Sequence, residues 1–367
     1  MSARLGPMTH TFQSVETSLG SSSAVTLDEW REWDVLADRL AAPPFLRPGW
    51  FSAWHSAYGR GELRLLSARD GGRLIGVLPV DVRERAILSP TNSHTPLYGP
   101  VADGPAAEHM LAAELLADRP RRIELAYVDP RTTWYEALRI AVPSHGRANR
   151  RSFLTDRLTR PPYASLAGGW EAFEAGLPRK FAKDLRRRWR RLEELGSVTV
   201  DVQRTGDGLD EALREFIELE ASGWKDAQVT AIASRAASGA FYSAIAHWAA
   251  ERGWLRLAFL RLDGRAIAVE FDLACCGSLY ALKSGFDPTE RAIGPGQLLT
   301  GACIREAAEE GLATYEFLGT DEQYKMAWTE TTHERVRVRS FPRTVAGDLN
   351  AIARHHAQPL VRRLKRG

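Results

Sequence analysis

Three strand-like runs follow one another from residue 254 to residue 286: "WLRLAFLRLDG", "RAIAVEFDLACCG" and "SLYALKSGF". Only Asp263-Gly264 and Gly277-Ser278 separate them, and connections that short allow little besides an antiparallel meander. The third run passes directly into "GFDPTERAIGPGQLL" (residues 285–299), which reads as a strand end, a turn and the first turn of a helix. That helix runs to Glu310, stops at Gly311 and is followed by the strand "ATYEFLG". A meander, a helix and a further strand in this order predict a mixed α+β unit.

The first half of the chain is written in a similar style. Thr26 caps a helix beginning Leu27-Asp28-Glu29, and an aromatic helix follows in "PPFLRPGWFSAWHSAYG". Asp70-Gly71-Gly72 marks a hairpin, and further strands and a helix lead to Pro161-Pro162. At 367 residues the chain suits two domains. The expected divisions are a disordered leader at 1–24, an N-terminal domain at 25–162, a C-terminal domain at 163–345 and a basic helix at 346–367. Each domain is expected to be a mostly antiparallel sheet flanked by helices, a duplication inferred from pattern without an obvious sequence repeat.

Composition excludes several classes. With 44% hydrophobic and 26% charged residues, the chain is neither disordered nor fibrous. No apolar run reaches about 18 residues and the opening residues lack a basic-then-apolar order, so neither a membrane span nor a signal peptide is expected. Cys275, Cys276 and Cys303 lack metal-site spacing, which predicts reduced thiols in a cytoplasmic protein and no metal.

Two segments point to anions. In Arg291-Ala-Ile-Gly294-Pro-Gly296, Pro295 suits the first helical position, and the glycines permit close approach of a ligand to the backbone. Unpaired amides and the helix dipole then favour a negative group, although an ordinary capped turn would have the same sequence. Between Arg179 and Arg191, "RKFAKDLRRRWRR" holds eight basic residues and one acid in a chain of net charge +3. Phe181, Leu185, Leu192 and Leu195 give that helix an apolar stripe. Arg187 is a candidate contact for a phosphate-bearing or polyanionic ligand; surface carboxylates are its plainer partners. His94, in the polar loop "TNSHTPLYGP", reads as incidental.

The segments "GWKDAQVTAI" (223–232), "LYALKSGFDPTERAIGPGQLL" (279–299) and "EGLATYEFLGTDEQYKMAW" (310–328) carry a family resemblance. With the meander between them and "PPFLRPGWFSAW" (43–54), they resemble the cellulose-biosynthesis-associated (CelD/BcsL-like) branch of the GNAT acyltransferases, relatives of the FemAB peptidyltransferases. The resemblance covers most of residues 26–345. It implies tandem GNAT-like domains, with acetyl-CoA or another acyl-CoA as cosubstrate bound in the second. It also implies a pyrophosphate contact at Arg291, Gly294, Pro295, Gly296, Gln297 and Leu298. Tyr324 would be the general acid for the leaving thiolate, Asp321 a base or an orienting group, and Lys325 a stabiliser of charge. Trp224, Lys225 and Lys283 fall on the acceptor side. Glu270 is a further candidate there: GNAT enzymes often carry a glutamate base on a central strand, whereas an exposed strand carboxylate is the alternative.

The leading expectation is an acyl-CoA-dependent N-acyltransferase acting by direct attack, and the absence of G-x-S-x-G agrees. A small-molecule or saccharide acceptor, phosphate-bearing or not, is the expected partner. A FemAB-like aminoacyl-tRNA-dependent transferase is the alternative, and the one reading that involves nucleic acid. A non-catalytic scaffold binding an anionic saccharide or partner is the third.

Overall fold

The computed structural model describes residues 25–144, 151–222 and 231–342. The expected leader, the C-terminal helix, Trp224 and Lys225 lie outside the described residues. Two sheets flanked by helices make up the fold, as the sequence pattern predicts.

The first half opens with α1 (Leu27–Arg39), closed by a capping box between Thr26 and Glu29. Then come α2 (Pro48–Tyr58), β1 (Glu62–Asp70), β2 (Arg73–Arg83), β3 (Ala86–Leu88) and β4 (Val101–Ala102). After α3 (Pro105–Ala117) follow β5 (Arg122–Val128), α4 (Thr133–Ser144), β6 (Leu154–Thr159) and β7 (Tyr163–Ser165). The second half begins with α5 (Gly169–Gly176) and α6 (Arg179–Glu193), broken at Pro178 as expected. It continues with β8 (Val198–Gln203), α7 (Leu209–Ser222), α8 (Ala231–Glu251), β9 (Leu255–Leu262), β10 (Arg265–Cys275) and β11 (Ser278–Phe286). Last come α9 (Pro295–Glu309), β12 (Thr314–Glu316), α10 (Gln323–Met326) and β13 (Arg335–Ser340).

The meander is present, and one of its turns falls a residue earlier than the sequence suggested. Cys275 pairs with Ser278, so the two-residue loop is Cys276-Gly277, both at positive φ (56° and 78°). A primed turn requires that geometry to follow the twist of its strands.

The second sheet runs β7-β12-β11-β10-β9-β8 and the first β1-β2-β3-β5-β13-β6, with β4 beside β2. Each is antiparallel apart from one parallel pair, β3 with β5 and β11 with β12. The first sheet crosses the division expected at residue 162, whereas every strand of the second sheet lies after it. β13, assigned by the sequence to the second domain, is hydrogen-bonded between β5 and β6 of the first sheet. Its register buries Val336 and Val338 and also Arg335 and Arg339. Arg335 pairs with Asp129 at 2.9 Å, and Arg339 pairs with Asp156. Buried Arg151 donates to the Ser340 hydroxyl and carbonyl oxygens and to the Pro120 carbonyl.

One apolar core spans both halves. Trp33, Trp50 and Phe51 share it with Phe241, Leu257 and Phe271. Phe45 meets Tyr280 edge-on at 5.0 Å, and Trp50 meets Phe241 at 5.2 Å. Val269, Phe271 and Leu273 of β10 point into this core, while Ala268 and Ala274 face a second core built on α9. No helix among the described residues is long and apolar enough to cross a membrane.

Candidate active site

The site begins with a divergence of strands. β11 has nine residues, but β12 pairs only with Ser278, Leu279 and Tyr280. The cause lies on the other flank of β12, which also pairs with β7. The amide of Phe317 continues that ladder by donating to the Pro162 carbonyl at 3.0 Å, and positive φ at Leu318 and Gly319 then turns the chain away. The edge of β11 beyond Tyr280 therefore faces a cavity of about 510 Å³. A bulge in the β10–β11 ladder leaves Leu282 as an extra residue in that edge, which re-aims the neighbouring side chains.

The floor of the cavity is polar and buried. Glu270 of β10 is 2% exposed, so the exposed-carboxylate alternative does not hold. Its carboxylate accepts from the Thr300 hydroxyl at 2.7 Å and from the Tyr315 hydroxyl. Asp272, two residues along and on the same face, is fully buried. One atom each of Glu270, Asp272 and Cys303 lies within 4.8 Å of the others. Burial pushes both carboxyls above the usual carboxylate range, most strongly at Asp272, where neighbouring Glu270 adds to it. The Tyr315 phenol and Cys303 thiol are pushed well up as well, which keeps both protonated.

The open β11 edge leads along Phe286 to the start of α9. Gly294 caps that helix in the left-handed region (φ 70°, ψ 51°), and Pro295 occupies its first turn. The amides of Gln297 and Leu298 both return to the Gly294 carbonyl, and Leu298 is buried. The amides of Arg291 and Gly294 close their own turns. Gly296 is the residue of the stretch best placed to present its amide. A Cβ on Gly294 would collide with the guanidinium of Arg188, which comes from the basic helix. Arg291 is exposed. Arg187, the candidate on α6, and Arg188 both pair with Asp184 at 2.6 Å, but only the Arg188 guanidinium also reaches Gly294. The cation at the helix start is Arg188, and its spacing from Phe181 (i+7), Leu185 (i+3) and Leu192 (i−4) places it on the apolar stripe. Leu195, beyond the helix end, is 52% exposed and not in that stripe.

The first half supplies one wall through Ser93–Pro96, Tyr127 and Thr159. His94 is part of it, contrary to the incidental reading. Its ring stacks on Tyr58 at 5.7 Å, and Nδ1 lies 3.1 Å from the Tyr242 hydroxyl. Burial, aided by Lys283 and opposed by Glu220, draws its pKa down to about 4, so the ring is neutral at physiological pH. Nothing adjacent in sequence marks His94, because its partners Tyr58 and Tyr242 are far along the chain. Lys283 lines the cavity and pairs with Glu220 of α7 at 2.9 Å.

The segment after β12 divides the three expected catalytic residues. Tyr324 lines the cavity half-exposed, with its phenol pushed up by burial and by Glu322. Lys325 also lines it, but its ammonium is tied to Glu322 at 2.7 Å and donates to the Leu318 carbonyl at 3.1 Å. Asp321 is exposed, 3.6 Å from Arg160, and is not part of the cavity lining. Gly319 turns the chain just before it, so sequence adjacency to Tyr324 did not bring it into the site.

Residues 179–326 match the family model for the acetyltransferase (GNAT) domain. That stretch runs from the first residue of α6 to the last of α10 and holds the cavity floor, the α9 helix start and Tyr324. No curated protein matches the chain. Among solved structures, FemX is similar at 13% identity and a TM-score of 0.57, covering 86% of this chain and 96% of its own. A C-terminal domain from an Agrobacterium fabrum protein named as a lysylphosphatidylglycerol synthetase has 12% identity and a TM-score of 0.56. That alignment covers 89% of this chain and 94% of the other. A protein of unknown function from Bacteroides thetaiotaomicron has 13% identity and a TM-score of 0.56, with 86% and 98% covered. At these identities the likeness is one of fold, and it extends over both halves of the chain.

Proposed function

We propose that the protein transfers an acyl group from an acyl-CoA thioester to an amine, within or near the cellulose-associated GNAT branch that its sequence resembles. The observation that carries this reading is the opened edge of β11, which joins the cavity to the start of α9. An amide-bearing pantetheine arm can add to such an edge as an extra strand does. Its diphosphate would meet Gly296, the positive end of α9 and Arg188. The cavity is of ordinary size for a small-molecule site, and the acceptor would enter along the His94 wall. Its nitrogen attacks the thioester carbonyl and gives up a proton to Glu270. The C–S bond then breaks, and Tyr324 donates its proton to the departing thiolate. A phenol pushed upward remains protonated at neutral pH, as an acid must; a carboxylate pushed upward is a better base than a free one.

Calorimetry with acetyl-CoA and longer acyl-CoAs, followed by assay of thiol release with a panel of amines, tests the reading. Tyr324→Phe is expected to lower kcat by about 10²-fold with acyl-CoA affinity unchanged. Absence of binding by every acyl-CoA sinks it. The exposed cations of α6 beside the α9 helix start favour one second reading, an aminoacyl-tRNA donor on a FemX-like fold. RNA binding that falls steeply with salt and yields aminoacyl transfer would select that donor over CoA.

A further inference from the structure

Neither carboxyl oxygen of Asp272 has a hydrogen-bond partner of ordinary geometry among the described residues, and the side chain is fully buried. A bare carboxylate in that position would lack both solvent and counter-charge, which proteins do not tolerate. Its nearest polar neighbours are acids themselves, Glu270 and Cys303. Arg256 of β9, directly across the ladder from Asp272 and in the small cavity on its far side, gives one Nη to Glu310 at 3.1 Å and the other to the Gly253 and Leu255 carbonyls. Its buried Nε has no hydrogen-bond partner among the described residues, Asp272 included. Glu306 of α9, also there, pairs with Arg204. Glu270 differs in having donors on both oxygens, Tyr315 from β12 and Thr300 from α9, so it is the member able to hold a negative charge.

We propose that Asp272 is a positioning residue held as a neutral acid, whose O–H donates to Glu270 so that the two carboxyls carry a single proton. This rests on the reading of Glu270 as the base. The proton leaving the acceptor nitrogen goes to Glu270, the pair then holds two, and one returns to solvent through the cavity. Asp272 never touches the substrate; it sets the basicity of the group that does. A buried like-charged pair behaves this way because two adjacent carboxylates cannot both ionise.

The first test needs no activity. Infrared difference spectra of ¹³C-aspartate-labelled protein at pH 7 are expected to show a protonated carboxyl that Asp272→Asn abolishes and Asp201→Asn retains. A group with a raised folded pKa contributes stability below its unfolded pKa and loses it as pH rises through the folded value. Asp272→Asn is therefore expected to raise Tm more at pH 8 than at pH 5. Where acyl transfer is measurable, Asp272→Leu is expected to move the acid limb of kcat/KM upward by about one unit, with Asp272→Asn, which keeps a donor, moving it less. Full ionisation of the aspartates at pH 7, or one bound metal ion per chain in the native protein, overturns the proposal. Failure of acyl transfer alone would count against the enzyme reading and leave the spectroscopic result to decide this one.

Discussion

Gly294 and Gly296 sit two residues apart and are required for different reasons. Gly294 needs its left-handed backbone and room for Arg188, so any side chain there strains the turn. A Cβ on Gly296 would lie 3.6 Å from Phe286, an ordinary contact. Gly296→Ala is therefore expected to fold with unchanged Tm yet bind acyl-CoA at least tenfold more weakly by calorimetry, about 1.4 kcal/mol. His94 carries a pH signature of the opposite kind to Asp272. Its folded pKa is depressed, so the unfolded chain takes up a proton below about pH 6.5 that the folded ring refuses until about 4. Stability should fall across that window, and His94→Gln should flatten the fall in urea titrations. Cys276 offers a separate check on the hairpin turn. It is exposed, 2.8 Å from the Cys275 sulfur, and its thiol is drawn down to about 6 by that neighbour and by Arg47. Maleimide at pH 7 should label Cys276 well before Cys275 or Cys303, as peptide mapping would show.

At the scale of elements, legibility follows the range of the signal. The meander and the Gly294–Gly296 helix start were legible because turn chemistry and period act over a few residues. The divergence of β11 and β12 was not, since it depends on β7 capturing the far edge of β12. The same limit hid Arg188: the stripe on α6 was read from its apolar members, and a guanidinium in the i+7 position does not register as part of it. The packing of α7 on β11 is a further long-range fact with a sharp consequence. A Cβ on Gly285 would stand 2.7 Å from the Cα of Glu220, which is backbone and cannot swing aside. Gly285→Ala should cost about 1–3 kcal/mol in urea denaturation. It should also disturb the nearby Lys283–Glu220 pair on the cavity wall.

For the whole molecule, two domains of ordinary size were expected, and two sheets are present. They are not separable at residue 162, because β13, from far beyond that point, belongs with the first sheet. Strand partners so distant in sequence cannot be chosen from alternation alone, which shows only that "ERVRVRSF" is a strand. Removing residues 335–367 should therefore unfold the first sheet as well, giving a chain without native circular dichroism or a monodisperse elution profile. The same arrangement dictates an order of events during synthesis. The first half emerges early, yet β5 and β6 have no strand between them until Arg335–Ser340 has been made. Until then each presents an unsatisfied edge, the kind that invites pairing with another chain. The second sheet, whose last strand in sequence is β12, can close beforehand. The half that is translated first is thus the half that matures last, and the nascent chain is most exposed to aggregation in the interval between the two.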